Sequence, residues 1–190
     1  MKEIKNKWLL FSIIAAVGFF LDWLTKYLVE LKLPYGTPVD IVGKYLQFLF
    51  VYNKGAVFGI NPANIIPGFP VNGFFIVFMI IAIAVLVFYY RSVPKSEVVL
   101  HWGLALIMPG ALGNLFDRIV RAEKGVVDFI RVGISEEIYW PIFNLADAYV
   151  TIGVGFLLLA FIVEEKRRKE AVAGANPSVE QKESGSAVNG

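Results

Sequence analysis

Cysteine is absent from the chain. That excludes a disulfide framework, a zinc–thiolate site, an iron–sulfur cluster and a cysteine nucleophile. Histidine occurs once, at His101, which leaves no multi-histidine metal site and disfavours a histidine-based triad. Basic residues outnumber acidic ones by only 18 to 16 and are scattered, so there is no electrostatic footprint for nucleic acid. Charged residues make up 18% of the chain, against about 25% in soluble domains. The chemistry left to it is that of carboxylates, amides, hydroxyls, Lys and Arg, and no metal or cofactor is expected.

What is present in excess is apolar. Of 190 residues, 57% are hydrophobic and 15% aromatic, with a mean hydropathy of +0.63. Soluble domains carry about 45–50% apolar residues. The length suits one domain or a compact bundle, and so much apolar material excludes disorder for most of the chain.

A bilayer-spanning helix needs about 20 mostly apolar residues. Four stretches qualify, at about 8–29, 71–90, 98–116 and 143–163. The first follows Lys2, Lys5 and Lys7 and has the outline of a secretory signal, but its apolar core runs into Phe19-Phe20-Leu21-Asp22-Trp23. A cleavage site requires small residues there, so it reads as a retained helix. Lys and Arg favour the cytoplasmic side. The groups before span one, between spans two and three (Arg91, Lys95) and after span four (Lys166–Lys169) share one side if both termini are cytoplasmic. Arg118, Arg121, Lys124 and Arg131 weaken that bias, partly balanced by neighbouring acids. Residues 39–52 read as one or two strands and 125–130 as another. Pro62, Pro67, Gly68 and Pro70 break the chain between them and span two. Tyr139-Trp140-Pro141 reads as interfacial. The tail, 171–190, reads as disordered.

Charges within spanning helices cost about 2.5–3.5 kcal/mol each near the centre, so each needs a reason. Asp22 and Lys26 are four apart and share a helix face. Asn114, Asp117 and Arg118 end span three, and Asn144 and Asp147 open span four. With the topology above, Asp22, Asn53, Asn114, Asp117, Asp128, Asn144 and Asp147 fall at one depth, near the outer surface. Taken singly, most have a plain explanation. Asp22 with Lys26 reads equally as a structural ion pair and as a substrate contact, Asp117 with Arg118 as a helix-end salt bridge, and Asp147 as a cap for the fourth helix. His101 lies away from the cluster and reads as incidental and interfacial; Glu123, Glu136 and Glu137 read as solvated. Taken together, paired carboxylates shielded from water point to acid/base chemistry with one shared proton, the division of labour of aspartic proteases. A proton-coupled transporter also uses buried acids, and an assembly protein without catalysis is a third possibility. Spans two and four offer almost no polar residues to line a transport route, and an assembly protein has no need of two opposed acids.

Five blocks then resemble one family. They are Leu21-Asp22-Trp23-Leu24-Thr25-Lys26; Asn53-Lys54-Gly55-Ala56-Val57-Phe58-Gly59; Gly110-Ala111-Leu112-Gly113-Asn114-Leu115-Phe116-Asp117-Arg118; Val126-Val127-Asp128-Phe129; and Phe143-Asn144-Leu145-Ala146-Asp147-Ala148. In that order, over about residues 8–165, they resemble bacterial lipoprotein signal peptidase (signal peptidase II). The resemblance implies an all-α membrane protein, four transmembrane helices with a small extracytoplasmic β element, forming one polytopic peptidase domain over 1–170 in the bacterial inner membrane. It implies Asp128 and Asp147 as the catalytic pair. Asn114, Asp117, Arg118 and Asn144 would shape the pocket, and Asp22, Lys26 and Asn53 would support it or face substrate. Amides at Asn114 and Asn144 can donate to carboxylates, Arg118 can hold Asp117 bidentately, and Gly55 and Gly113 can permit close approach or unusual dihedrals. The implied substrate is a prolipoprotein whose cysteine already carries diacylglyceryl, cut just before that cysteine. Membrane lipids are the other expected partner, and a monomer is expected. One departure stands out: 118–127 looks slightly longer than the usual family linker, which enlarges a turn near 121–124.

Overall fold

A computed structural model describes residues 3–55, 66, 68–135 and 137–175, with side chains through Val172. Pro62, Pro67, Glu136, the 56–59 part of the second block and the tail from 176 onward lie outside the described residues. The elements run α1 (Lys7–Lys32), β1 (Val39–Val42), β2 (Leu46–Asn53), α2 (Val71–Ser92), α3 (Val98–Val120), β3 (Val126–Val132) and α4 (Leu145–Ala175).

All four helices are long and apolar enough to cross a membrane, with mean hydropathies between 1.5 and 2.9. The helical conformation keeps their backbone hydrogen bonds internal, as a lipid environment demands, and the apolar side chains suit that environment. α3 is the central helix and packs against α1, α2 and α4. Large side chains such as Phe78, Phe88 and Phe161 point outward from the bundle.

The helices overrun the expected spans where polar chemistry carries them on. Asn6 caps α1, its side chain accepting from Leu9 N at 3.0 Å. α4 starts two residues later than expected because Asn144 is its cap. It then continues to Ala175, beyond the apolar stretch, along a run of i,i+4 ion pairs such as Glu165–Lys169 at 2.7 Å. Such pairs support helix in water. Residues 171–175 continue the helix, where the composition reads as disordered.

One end of the bundle is tied by Lys7, whose Nζ donates to the carbonyls of Arg91 at 2.8 Å and Val93 at 2.7 Å. A cation there satisfies acceptors that the end of α2 leaves open. Tyr90 returns its hydroxyl to Lys7 O. His101 is part of this lock and not incidental: it is fully buried, edge-on to Tyr90, with Nε2 3.0 Å from Pro94 O. Arg167 on α4 approaches Glu97, just before α3, at 3.8 Å. The N-terminal start of α1, the α2–α3 connection and the late part of α4 thus share one end.

The opposite end carries a three-stranded antiparallel sheet in the order β1-β2-β3. The stretch read as one or two strands forms two, turned at Gly43 (φ 50). Phe50, Val127 and Phe129 bury themselves against Val29 of α1 and seat the sheet on the bundle. The β2–β3 register places Val51 opposite Asp128, Tyr52 opposite Val127 and Asn53 opposite Val126. Before α4 the chain touches β3 again: Ile130 N donates to Phe143 O at 2.8 Å and Phe143 N to Ile130 O at 3.0 Å. That exchange delivers Asn144, the next residue, to the flank of Asp128.

Candidate active site

The polar residues singled out in the sequence converge at the sheet end of the bundle. Lys26 is the first organiser. Its ammonium is 1% exposed and meets Asp22 at 2.8 Å, Asp117 at 3.1 Å and the amide oxygen of Asn114 at 3.0 Å. Three acceptors match the three protons of a lysine, so a charge that is costly alone becomes fully coordinated. Asp22 also accepts from Ala146 N at 2.8 Å. That backbone N–H lies in the first turn of α4, where the helix itself provides no acceptor, so the Asp22–Lys26 pair of α1 is bolted to the start of α4.

The second organiser is the amide pair Asn114 and Asn144. Asn144 Nδ2 donates to Asp128 Oδ1 at 2.7 Å and to Asn114 Oδ1 at 3.1 Å. Asn114 Nδ2 donates to Asp147 Oδ1 at 2.8 Å. Asn144 and Asp147 also cap α4 reciprocally, Asp147 N donating to Asn144 Oδ1 at 3.0 Å and Asn144 N to Asp147 Oδ2 at 3.1 Å. This is capping-box logic with a short acid, and Asp147 is indeed a capping residue as well as a member of the candidate site. From β2, Asn53 Nδ2 donates to Asp128 Oδ2 at 3.0 Å. Asn53 in turn accepts from Gly55 N at 2.9 Å, which fixes which way its amide faces. Gly55 sits at φ 123, and a Cβ there would run into Val71. Gly113 has no room for a Cβ either, because the Asp22 carboxylate occupies that space.

Asp128 is 3% exposed. Burial, and then the charge of Asp147, push its carboxyl up to about 7, against the opposing effect of the Asn53 and Asn144 amides. A cavity of about 730 Å³ reaches Asp128 and Asn53 along the sheet, lined also by Tyr35, Tyr52, Lys124 and Trp140.

One expected pairing is corrected. Asp117 is held by Arg121, not by Arg118, and also accepts from Val127 N at 3.1 Å. Residues four apart share a helix face, whereas adjacent residues diverge. Arg118 instead lies over the Phe75 ring at 4.4 Å, in the field of Asp128, Asp147 and Asp117. It is 6% exposed, and its Nε and Nη1 have no hydrogen-bond partner among the described residues. Asn72 of α2 anchors it from behind, donating to Arg118 O at 3.0 Å.

Three members of the network escape the sequence reading: Arg121, noticed there only for its charge and its turn, Glu30 and Tyr52. Glu30 binds Arg121 and accepts from the Tyr52 hydroxyl at 2.7 Å. Burial and Glu30 push the Tyr52 phenol up to about 12, so it stays a donor. A signal for Glu30 existed: Asp22, Lys26 and Glu30 recur at intervals of four, alternating in sign along one face of α1. For Tyr52, adjacency to Asn53 is the only hint.

The model of one protein family, signal peptidase (SPase) II, matches residues 14–163. A lipoprotein signal peptidase of Streptomyces griseus subsp. griseus is 40% identical over 164 residues, covering 83% of this chain and 76% of its own. Among solved structures, a bacterial membrane enzyme obtained by the in meso method at 2.3 Å resolution superposes with a TM-score of 0.72. It is 29% identical, and the match covers 84% of this chain and 92% of that one. A second bacterial membrane enzyme structure, at 1.9 Å, gives a TM-score of 0.67 at 29% identity, covering 80% and 91%. With four membrane-length helices, a small sheet and a cluster of buried acids at one end, the chain belongs to the signal peptidase II family of membrane-embedded aspartic-type proteases.

Proposed function

We propose that this protein removes the signal peptide from diacylglyceryl-modified prolipoproteins by cutting just before the lipidated cysteine, with Asp128 and Asp147 as the catalytic pair. The observation that carries the reading is Asn144. This one residue donates to Asp128 through its side chain and to Asp147 through its backbone, so acids from β3 and α4 are held as a unit.

Two neighbouring carboxylates cannot both ionise without mutual cost, so the pair shares a proton. Asp128, whose carboxyl is raised to about 7, holds that proton near neutrality, and Asp147 acts as the base. A water molecule loses a proton to Asp147 while its oxygen bonds to the scissile carbonyl carbon. The Asp128 proton moves to the carbonyl oxygen, giving a neutral gem-diol. Collapse breaks the C–N bond: Asp147 returns its proton to the departing nitrogen, and a diol hydroxyl returns one to Asp128. The products are a signal peptide ending in a carboxylic acid and a lipidated cysteine with a free amino group. The open Nε and Nη1 of Arg118 would receive a substrate carbonyl and help orient the chain. Both acids lie in one chain, so a second copy is not required.

For orientation, we place both termini in the cytoplasm and the site near the outer surface. Lys5, Lys7, Arg91, Lys95, Lys166 and Arg168 gather at the end of the bundle opposite the acids, and such clusters favour the cytoplasmic side. The diacylglyceryl chains then remain among outer-leaflet tails while the amide reaches the dyad. Exposed Ile134, Ile138 and Trp140 beside β3 suit contact with that leaflet.

The test is purified protein incubated with lipidated and unlipidated precursor peptides. Cleavage of the lipidated peptide alone is expected, with Asp128→Asn and Asp147→Asn inactive but still membrane-inserted. Cleavage at near-parental rate by either variant removes the dyad assignment, and equal cleavage of both peptides removes the lipid requirement.

A further inference from the structure

The turn after α3, where the chain looks longer than the family linker, carries Arg121. Its guanidinium binds two acids at once. Nη1 donates to Asp117 Oδ1, Nη2 donates to Glu30 Oε2, and Nε reaches the Glu30 oxygens at 3.0 and 3.1 Å. Each acid then grips a different strand. Asp117 Oδ2 accepts from Val127 N of β3 at 3.1 Å, and Glu30 Oε1 accepts from the Tyr52 hydroxyl of β2 at 2.7 Å. Tyr52 and Val127 face each other across the β2–β3 ladder. One residue further along each strand stand Asn53 and Asp128, joined by the 3.0 Å hydrogen bond that holds Asp128 Oδ2. The backbone of Arg121 closes the turn as well, its carbonyl accepting from Gly125 N at 2.8 Å.

From this arrangement we infer that Arg121 is a positioning residue for the proposed reaction: its fork locks β2 and β3 in the relation that lets Asn53 orient Asp128. Separate nitrogens of one rigid planar fork reach Glu30 and Asp117 here, a spread that the single Nζ of a lysine at this position does not reproduce. The strand pair itself is short and bulged between Phe48 and Val51, so its register near the site depends on such outside grips. Arg121 is 14% exposed and Glu30 24%, which leaves the clamp on the rim of the site. This inference rests on the Asp128–Asp147 reading above.

The experiment uses the purified full chain and a lipidated precursor peptide, and measures kcat and KM separately. Arg121→Lys is expected to lower kcat by about 10- to 100-fold, the scale of a misplaced catalytic group, with KM unchanged. Tyr52→Phe, which removes only the β2 grip, is expected to give a smaller loss of kcat. In combination with Arg121→Lys it is expected to add nothing, because both act through one path. Parental kcat in Arg121→Lys, with Asp128→Asn inactive, overturns the inference and leaves the dyad standing. Additive losses in the double variant overturn it too, as does a kcat loss that only tracks a lowered melting temperature and recovers on cooling. An active Asp128→Asn sinks the dyad reading instead.

Discussion

Replacing Asp128 by Asn is expected to silence the enzyme and, above neutral pH, to make the folded chain more stable. In an unfolded chain an aspartate ionises near about 3.9. In the folded chain burial and Asp147 raise Asp128 to about 7. Because the folded value is raised, the stabilising contribution is complete below about pH 4 and is lost as pH climbs through about 7. Each pH unit between the two values is worth about 1.4 kcal/mol, so ionised Asp128 costs the fold about 4 kcal/mol at pH 8. An amide escapes that cost. It also brings one of its own: Asp128 accepts from both Asn53 and Asn144, and an amide has only one oxygen, so one donor loses its partner at about 1–3 kcal/mol. The net is a gain of about 1–3 kcal/mol at pH 8 and a loss below pH 5. Thermal unfolding of parent and variant in the same detergent, scanned from pH 5 to pH 8.5, reads this as two curves that cross. A variant that is less stable than the parent at pH 8, by the same margin as at pH 5, would refute the account of a strained, half-protonated Asp128.

Gly113→Ala is expected to cost about 1–3 kcal/mol of stability and most of the activity, because the new methyl displaces the Asp22 carboxylate; thermal unfolding and peptide cleavage check both. Asp22→Asn should lose activity only in part, since an amide oxygen can still accept from Ala146 N and Lys26 keeps Asp117 and Asn114; a complete loss would place Asp22 in the chemistry itself. Arg118→Lys should raise KM more than it lowers kcat, as the open Nε and Nη1 leave no direct grip on either aspartate. Chelators should leave cleavage unchanged, and inhibition that added zinc reverses would argue for a metal enzyme.

The sequence by itself determined the four spans and their common polar level. Membrane-length apolar runs leave the backbone one viable solution, and up-and-down connectivity then sorts Asp22, Asn114 and Asp147 to one end without any knowledge of packing. Spacing also paired Asp22 with Lys26, a contact local to one helix face. Only the tertiary structure decided who meets whom across elements. Asn144 reaches Asp128 because residue 143 pairs with β3, and Asp117 turns to Arg121 because α3 ends on that face. Glu30 and Tyr52 join the site through contacts 22 and 91 residues apart in sequence. Periodicity carries no information about such separations: hydrogen bonds between distant side chains are set by where the chain's turns place their backbones.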